Sequence, residues 1–110
     1  APLVSHIYEL GMVEAISIPQ NECFAGALDF ARMEGIVPAP EPTHAIAAAV
    51  REALACKESG EEKVILTALC GHGHLDLASY DKYLNGEMVD ADLSDDVIAQ
   101  AMKAVPVVNG

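Results

Sequence analysis

The run KVILTALC, residues 63–70, constrains the fold of this chain more than any other segment. It is apolar over nearly its whole length and rich in β-branched residues. A strand of this composition is usually covered on both faces, as in the interior of a parallel sheet. We therefore expect residues 63–70 to form the central strand of an open sheet with helices packed against it.

A second, shorter strand is predicted at residues 13–18, where apolar and polar residues alternate up to Pro19. Helices are predicted wherever apolar residues recur at spacings of three and four, which places them at about 3–10, 21–33, 42–59, 76–84 and 94–104. Strands interspersed with helices indicate an α/β fold, a layered open sheet with helices. A length of 110 residues suits a single unit, residues 1–110.

The ends of the helices carry recognisable signals. Asn21 and Ser94 are the residue types that cap the first turn of a helix. Gly35 and Gly60 follow the predicted ends of two helices, where the chain commonly takes a left-handed conformation. Residues 86–110 form a C-terminal extension in this scheme, and the last helix belongs to it.

Charge excludes several classes of partner. The chain has 17 acidic and 6 basic residues, a formal net charge of -11, and its basic residues are scattered singly. Nucleic acids and anionic membrane surfaces are bound by clustered Lys and Arg, so both are excluded as partners. Neither a membrane-spanning run nor a signal-peptide pattern is present, and the 3 cysteines form an odd set. We expect a cytoplasmic protein with reduced thiols.

The loop GHGH, residues 71–74, admits a metal site. His72 and His74, with Cys70 before them and Asp76 after them, supply four possible zinc ligands. Zinc ligands usually come from two distant segments, and no second pair of ligands has a suitable spacing here. Loop histidines bonded to the backbone or to water are therefore favoured over a metal site.

Cys70 also admits two functions other than metal binding. A thiol at the carboxyl end of a central strand lies where α/β proteins place their chemistry, so it could be a nucleophile. The sequence shows no Cys-His-Asn pattern to activate it, and a packed thiol is more common. A pocket that binds a ligand without covalent attack is favoured over the nucleophile, because small residues such as Gly71 let the backbone approach a ligand closely.

Glu41 stands between Pro40 and Pro42 at the predicted start of a helix. The helix dipole favours an ionised carboxylate at this position. Capping of the helix and a role in a binding site both remain open, and capping is the more common use of such a residue.

Three stretches together resemble a known family. They are APLVSHIYELG at the start, EGIVPAPEPTHAIAAA at residues 34–49 and GEEKVILTALCGHGHLDLASYDKYL at residues 60–84. They are similar to the carboxy-terminal part of the tryptophan synthase beta-like proteins, and more narrowly to the second, standalone class of that beta chain. The resemblance covers nearly all of residues 1–85.

The resemblance implies a fold and an activity. The family are pyridoxal-phosphate enzymes of fold type II, lyases that join indole to L-serine by β-replacement. The chain would correspond to the C-terminal portion of their large domain. Glu41 matches a glutamate that lies close to the cofactor. Cys70 falls where the family usually has a serine that hydrogen-bonds the pyridine nitrogen, and Gly71 follows in the same loop.

The resemblance also implies that much of such an enzyme is missing from this chain. The family's Schiff-base lysine, its neighbouring glutamate and its glycine-rich phosphate loop come earlier and have no counterpart here. We therefore expect a fragment that is inactive alone. Its expected partners are the remainder of the enzyme and further copies in a homo-oligomer, and a tryptophan synthase alpha subunit is a possible third. The alternative is a non-catalytic module of α/β fold that binds a small ligand or drives oligomerisation.

Overall fold

The computed structural model describes residues 2–91 and 94–106. Within these residues the chain forms helices joined by turns and extended segments. The α-helices are α1 Pro2–Glu9, α2 Gln20–Glu34, α3 Pro40–Ser59, α4 Leu77–Leu84 and α5 Asp95–Met102, and a 3₁₀ turn spans Gly73–Leu75. Every predicted helix is present, with bounds within two residues of those expected.

The predicted α/β sheet is wrong. In the described part of the chain neither residues 13–18 nor residues 63–70 form a strand, and the β-type pairing there is a single antiparallel bridge between Pro38 and His72. Val64 and Leu66 are 98% and 96% exposed. A strand requires a neighbour that satisfies its backbone N–H and C=O groups. An apolar, β-branched composition indicates a preference for burial, but it does not provide the neighbouring strand.

Helices α2, α3 and α4 form the core. The two long helices lie close together at Gly26, where a Cβ atom would be 3.7 Å from Cγ2 of Ile46 and 3.8 Å from the backbone of Ala47. Most of the buried apolar residues form two small clusters, Ile18, Cys23 and Ala47 in one and Phe24, Ala27 and Tyr80 in the other. The second cluster ties α4 to α2, directly beneath the loop that precedes α4.

Most of the predicted helix ends are confirmed. Gly35 and Gly60 follow α2 and α3 with φ of 70° and 73°, and each donates its N–H to a carbonyl of the preceding helix. The hydroxyl of Ser94 accepts a hydrogen bond from the N–H of Val97 and so caps α5. Asn21 is not a cap, because α2 begins at Gln20 and its capping position is occupied by Pro19, which has no side-chain hydrogen bond to offer.

The first and last helices lie outside this core. Neither α1 nor α5 contains a buried residue. Of the C-terminal extension, residues 92, 93 and 107–110 lie outside the described part of the chain. The expected helix of residues 94–104 is present as Asp95–Met102. None of the described helices has both the length and the apolar character needed to cross a membrane.

Candidate functional site

Two short segments meet beside the core through their backbones. The N–H of Ala39 donates to the carbonyl of Gly71 at 3.3 Å, and the N–H of Gly73 donates to the carbonyl of Val37 at 2.8 Å. Pro38 and His72 face each other between these two hydrogen bonds. We refer to residues 37–39 and 71–73 as the bridge, and it joins the segment before α3 to the GHGH loop.

The bridge is anchored to the core by Tyr80 of α4. Its hydroxyl donates to the carbonyl of Pro38 at 2.6 Å, and the side chain is buried. Gly73 lies in the angle between these groups, since a Cβ atom there would contact the Pro38 carbonyl, approach Cγ1 of Val37 at 2.9 Å and Cε2 of Tyr80 at 3.0 Å. The close approach of the two segments therefore requires glycine at position 73.

Cys70 directly precedes the bridge, and Gly71 is the first residue of its second segment. Both are exposed. Gly71 has φ of 92°, a conformation that L side chains rarely adopt, and a Cβ there would be 3.2 Å from the Cβ of Ala39. The backbone at Gly71 is consequently open on one side and in contact with the other segment on its opposite side.

Glu41 lies two residues beyond the bridge, in the first turn of α3, and its side chain is exposed. Thr43 is fully buried next to it, and its hydroxyl donates to the carbonyl of Pro40 at 2.5 Å. This bond stabilises the double-proline start of the helix. The bridge thus brings the segments carrying Glu41 and Cys70 to the same end of α3, and their roles toward a cofactor remain predictions.

The two loop histidines are exposed and lie close to each other. Their ring centroids are 4.9 Å apart, and Nδ1 of His72 accepts a hydrogen bond from the N–H of His74 at 3.3 Å. In residues 2–91 and 94–106 there is no group of three or more His, Cys, Asp or Glu side chains that could hold a metal ion. The ring of His72 thus bonds to the backbone of its own loop.

One polar contact has no signal in the sequence. Sγ of Cys23 in α2 lies 3.2 Å from Nδ1 of His44 in α3, beside a cavity of about 290 Å³ that Ser17 and Asp90 also line. Burial raises the pKa of the Cys23 thiol above its ordinary value. A raised pKa disfavours the thiolate, so this pair is not arranged as an activated nucleophile. The two residues belong to different helices, and no spacing rule links them.

The chain is similar to known proteins that share one name. No family model matches the chain. It is 61% identical over 90 residues to tryptophan synthase beta chain 2 of Aquifex aeolicus, a match that covers 82% of this chain and 21% of the relative. The protein of the same name from Methanosarcina acetivorans is 55% identical over 89 residues, which is 81% of this chain and 20% of the relative.

A further relative extends the match along the chain. Tryptophan synthase beta chain 2 of Pyrococcus furiosus is 43% identical over 106 residues, which is 96% of this chain and 24% of the relative. A match of this length cannot fit within residues 1–85, so it reaches into the C-terminal extension. The chain spans only about a fifth to a quarter of the length of these relatives. The family resemblance predicted from the residues is confirmed, and this chain is homologous to part of a tryptophan synthase beta chain 2.

Proposed function

We propose that this chain supplies one wall of a pyridoxal-phosphate site in a tryptophan synthase beta-like lyase and is inactive by itself. The observation that supports this most directly is the bridge, in which Gly71 contacts Ala39. This contact joins the loop of Cys70 to the segment that leads into Glu41. The names of the relatives support the same assignment, since each is a tryptophan synthase beta chain 2.

The residues present fit the edge of a planar pyridine ring. Cys70 has an exposed thiol, and Gly71 has no side chain to obstruct approach to the backbone beside it. A thiol is a weak hydrogen-bond donor and cannot protonate a ring nitrogen as a carboxylic acid would. Glu41 adds an exposed carboxylate in the first turn of a helix, where the dipole stabilises its charge. Bound in an intact enzyme, pyridoxal phosphate supplies an electron sink for replacement at the β-carbon of serine.

The lysines support inactivity of the chain alone. All four, Lys57, Lys63, Lys82 and Lys103, have exposed side chains. A lysine that attacks a carbonyl carbon is usually desolvated, so that its amine is neutral near pH 7. The lysine that attaches the cofactor is therefore proposed to belong to the remainder of a longer enzyme. That remainder, further copies in a homo-oligomer and an alpha subunit are the proposed partners, in the cytoplasm.

The proposal is tested in a chimera. The 90 matched residues of the Aquifex aeolicus relative are replaced by the corresponding residues of this chain, and tryptophan formation from indole and serine is measured beside the unmodified relative. We expect the chimera to bind pyridoxal phosphate and to form tryptophan, while the 110-residue chain alone does neither. A chimera that is folded but neither binds the cofactor nor forms tryptophan would contradict the proposal.

Exposed apolar surface favours a second function, that of an oligomerisation module. Val64 and Leu66 are almost completely exposed, and α1 adds the exposed side chains of Leu3, Val4 and Tyr8. Exposed apolar surface usually drives association where it forms a contiguous patch. Sedimentation velocity distinguishes the two: association of the isolated chain that Val64→Asp abolishes, together with an inactive chimera, would favour the module over the enzyme.

A further inference from the structure

The carbonyl of Pro38 occupies an unusual position in the bridge. Pro38 pairs with His72, and the two backbone hydrogen bonds that flank this pair are made by Val37 and Ala39. In such a pair the backbone groups of the central residue point away from the partner segment. Proline has no N–H to satisfy, so its carbonyl is the one group on that side that needs a partner.

Tyr80 provides that partner from a fixed position. The residue is 5% exposed, and its ring meets the ring of Phe24 edge-to-face, with centroids 5.0 Å apart and planes at 70°. Its hydroxyl donates to the Pro38 carbonyl at 2.6 Å. A phenol is protonated at neutral pH and therefore a donor, and burial raises the pKa of Tyr80 further in the same direction. The core thus determines where the Pro38 carbonyl lies.

We propose that Tyr80 is a positioning residue for the cofactor site, which holds the segment of Glu41 and the loop of Cys70 in register through the carbonyl of Pro38. This inference rests on the proposed function, because it assigns Tyr80 to the same site. Tyr80 itself does not lie in the bridge, and the effect passes through Pro38 and the bridge bond between Ala39 and Gly71. Loss of the hydroxyl leaves a buried carbonyl without its donor and allows the two segments to shift.

The chain offers a matched control in the same helix. Tyr83 also packs on Phe24, with centroids 5.6 Å apart and planes at 24°, and the described structure shows no hydrogen bond from its hydroxyl. Tyr80→Phe and Tyr83→Phe therefore remove the same atom from the same helix and retain both rings. Only the first removes a hydrogen bond to the bridge.

Both variants are made in the chimera and in the 110-residue chain, and all measurements are made well below the melting temperatures. In the chimera we expect Tyr80→Phe to weaken pyridoxal phosphate binding about fivefold, the ratio expected for one ordinary hydrogen bond. The absorbance spectrum of the bound cofactor should shift, which a loss of stability alone would not cause. In the chain, the amides of Ala39 and Gly73 should exchange about fivefold faster relative to those of α2. Tyr83→Phe should change none of these quantities.

The outcomes separate the two proposals. A parent chimera that binds the cofactor and forms tryptophan, with Tyr80→Phe indistinguishable from Tyr83→Phe in affinity and spectrum, overturns the role of Tyr80 alone. A parent chimera without cofactor or activity overturns the proposed function and this inference with it. Faster exchange at Ala39 and Gly73 together with weaker cofactor binding supports the positioning role.

Discussion

The backbone N–H of Asn21 donates a hydrogen bond to Oδ1 of Asp90 at 2.9 Å, although 69 residues separate them in the sequence. The side chain of Asn21 also donates to the carbonyl of Met88 at 3.3 Å, and Gln20 reaches the carbonyl of Val89 at 3.5 Å. These contacts, which we call the clasp, attach the segment after α4 to the first turn of α2. Asp90 thereby satisfies an orphan N–H that Pro19, at the capping position, cannot.

We expect the stability of the chain to fall at acidic pH through Asp90. The hydrogen bonds from Asn21 hold the pKa of this carboxyl below its ordinary value. Its contribution is therefore complete above the pKa of an unfolded aspartate, about 3.9. It is lost as the pH falls through the lower pKa of the folded state. Asp90→Ala should lower the melting temperature at pH 7, and the melting temperature of this variant should fall less between pH 7 and acidic pH. Thermal melts at a series of pH values measure both effects. Glu87→Gln, an exposed acid in the same segment, is the control, and an equal effect of both substitutions would contradict the role of the clasp.

Two glycine substitutions should have opposite effects on stability. Gly73→Ala places a methyl group against the Pro38 carbonyl and the ring of Tyr80, so we expect a loss of about 1–3 kcal/mol in the free energy of unfolding, typical of overpacking. Gly26→Ala, in the interior of α2, adds a methyl group at ordinary contact distance from Ile46 of α3. It should stabilise the chain by about 0.4–1 kcal/mol, because it restricts the unfolded state. Urea denaturation measures both, and a neutral Gly73→Ala would show that the bridge is loosely packed.

The three thiols should react at different rates. Cys70 is exposed, Cys56 is partly buried and Cys23 is buried with a raised pKa. The thiolate is the reactive form, so burial and pKa both slow the reaction of Cys23. Titration with a thiol reagent under native conditions should label Cys70 first and Cys23 only after unfolding. Fast labelling of Cys23 in the Cys70→Ser variant would show that the α2–α3 interface opens readily.

Substitution of Cys70 in the chimera tests its predicted contact with the cofactor. Cys70→Ser retains a donor of similar size and improves it, so cofactor affinity and activity should be preserved or increased. Cys70→Ala removes the donor and should weaken cofactor retention by about 1 kcal/mol while the protein stays folded. Cys70→Asp should shift the absorbance spectrum of the cofactor and divert the reaction from tryptophan toward side products. If all three variants match the parent in affinity and spectrum, Cys70 does not contact the ring nitrogen.

The helices of this chain could be predicted from sequence because their signals are local. Apolar residues at three- and four-residue spacing and the terminal glycines Gly35 and Gly60 lie within the helices they define or next to them. The strand predictions were wrong for the opposite reason. The composition of residues 63–70 indicates a preference for burial, whereas strand pairing depends on a segment that is distant in the sequence. Asn21 is not a cap because α2 begins one residue earlier, at Gln20, and Asn21 lies in the first turn, where its own N–H donates to a residue 69 positions away.

The candidate site was predictable only in part. Motif resemblance singled out Glu41, Cys70 and Gly71, and the bridge gives a reason why their segments lie together. The role proposed for Tyr80 could not be derived from sequence, because its partner is a backbone carbonyl 42 residues away. From sequence, a tyrosine in an amphipathic helix is expected to be a core residue. The contact of its hydroxyl can be identified only once the position of the loop before α3 is known.

The clasp has a consequence for the order in which the chain folds. Helices α2 and α3 are joined by the short loop 35–39, so their contact closes a small segment of chain, whereas the bond from Asn21 to Asp90 closes 69 residues. Closure of longer loops costs more entropy, and local contacts generally form first. The helical hairpin should therefore be present in the transition state and the clasp absent from it. Substitutions at Asp90 would then speed unfolding and leave the refolding rate almost unchanged.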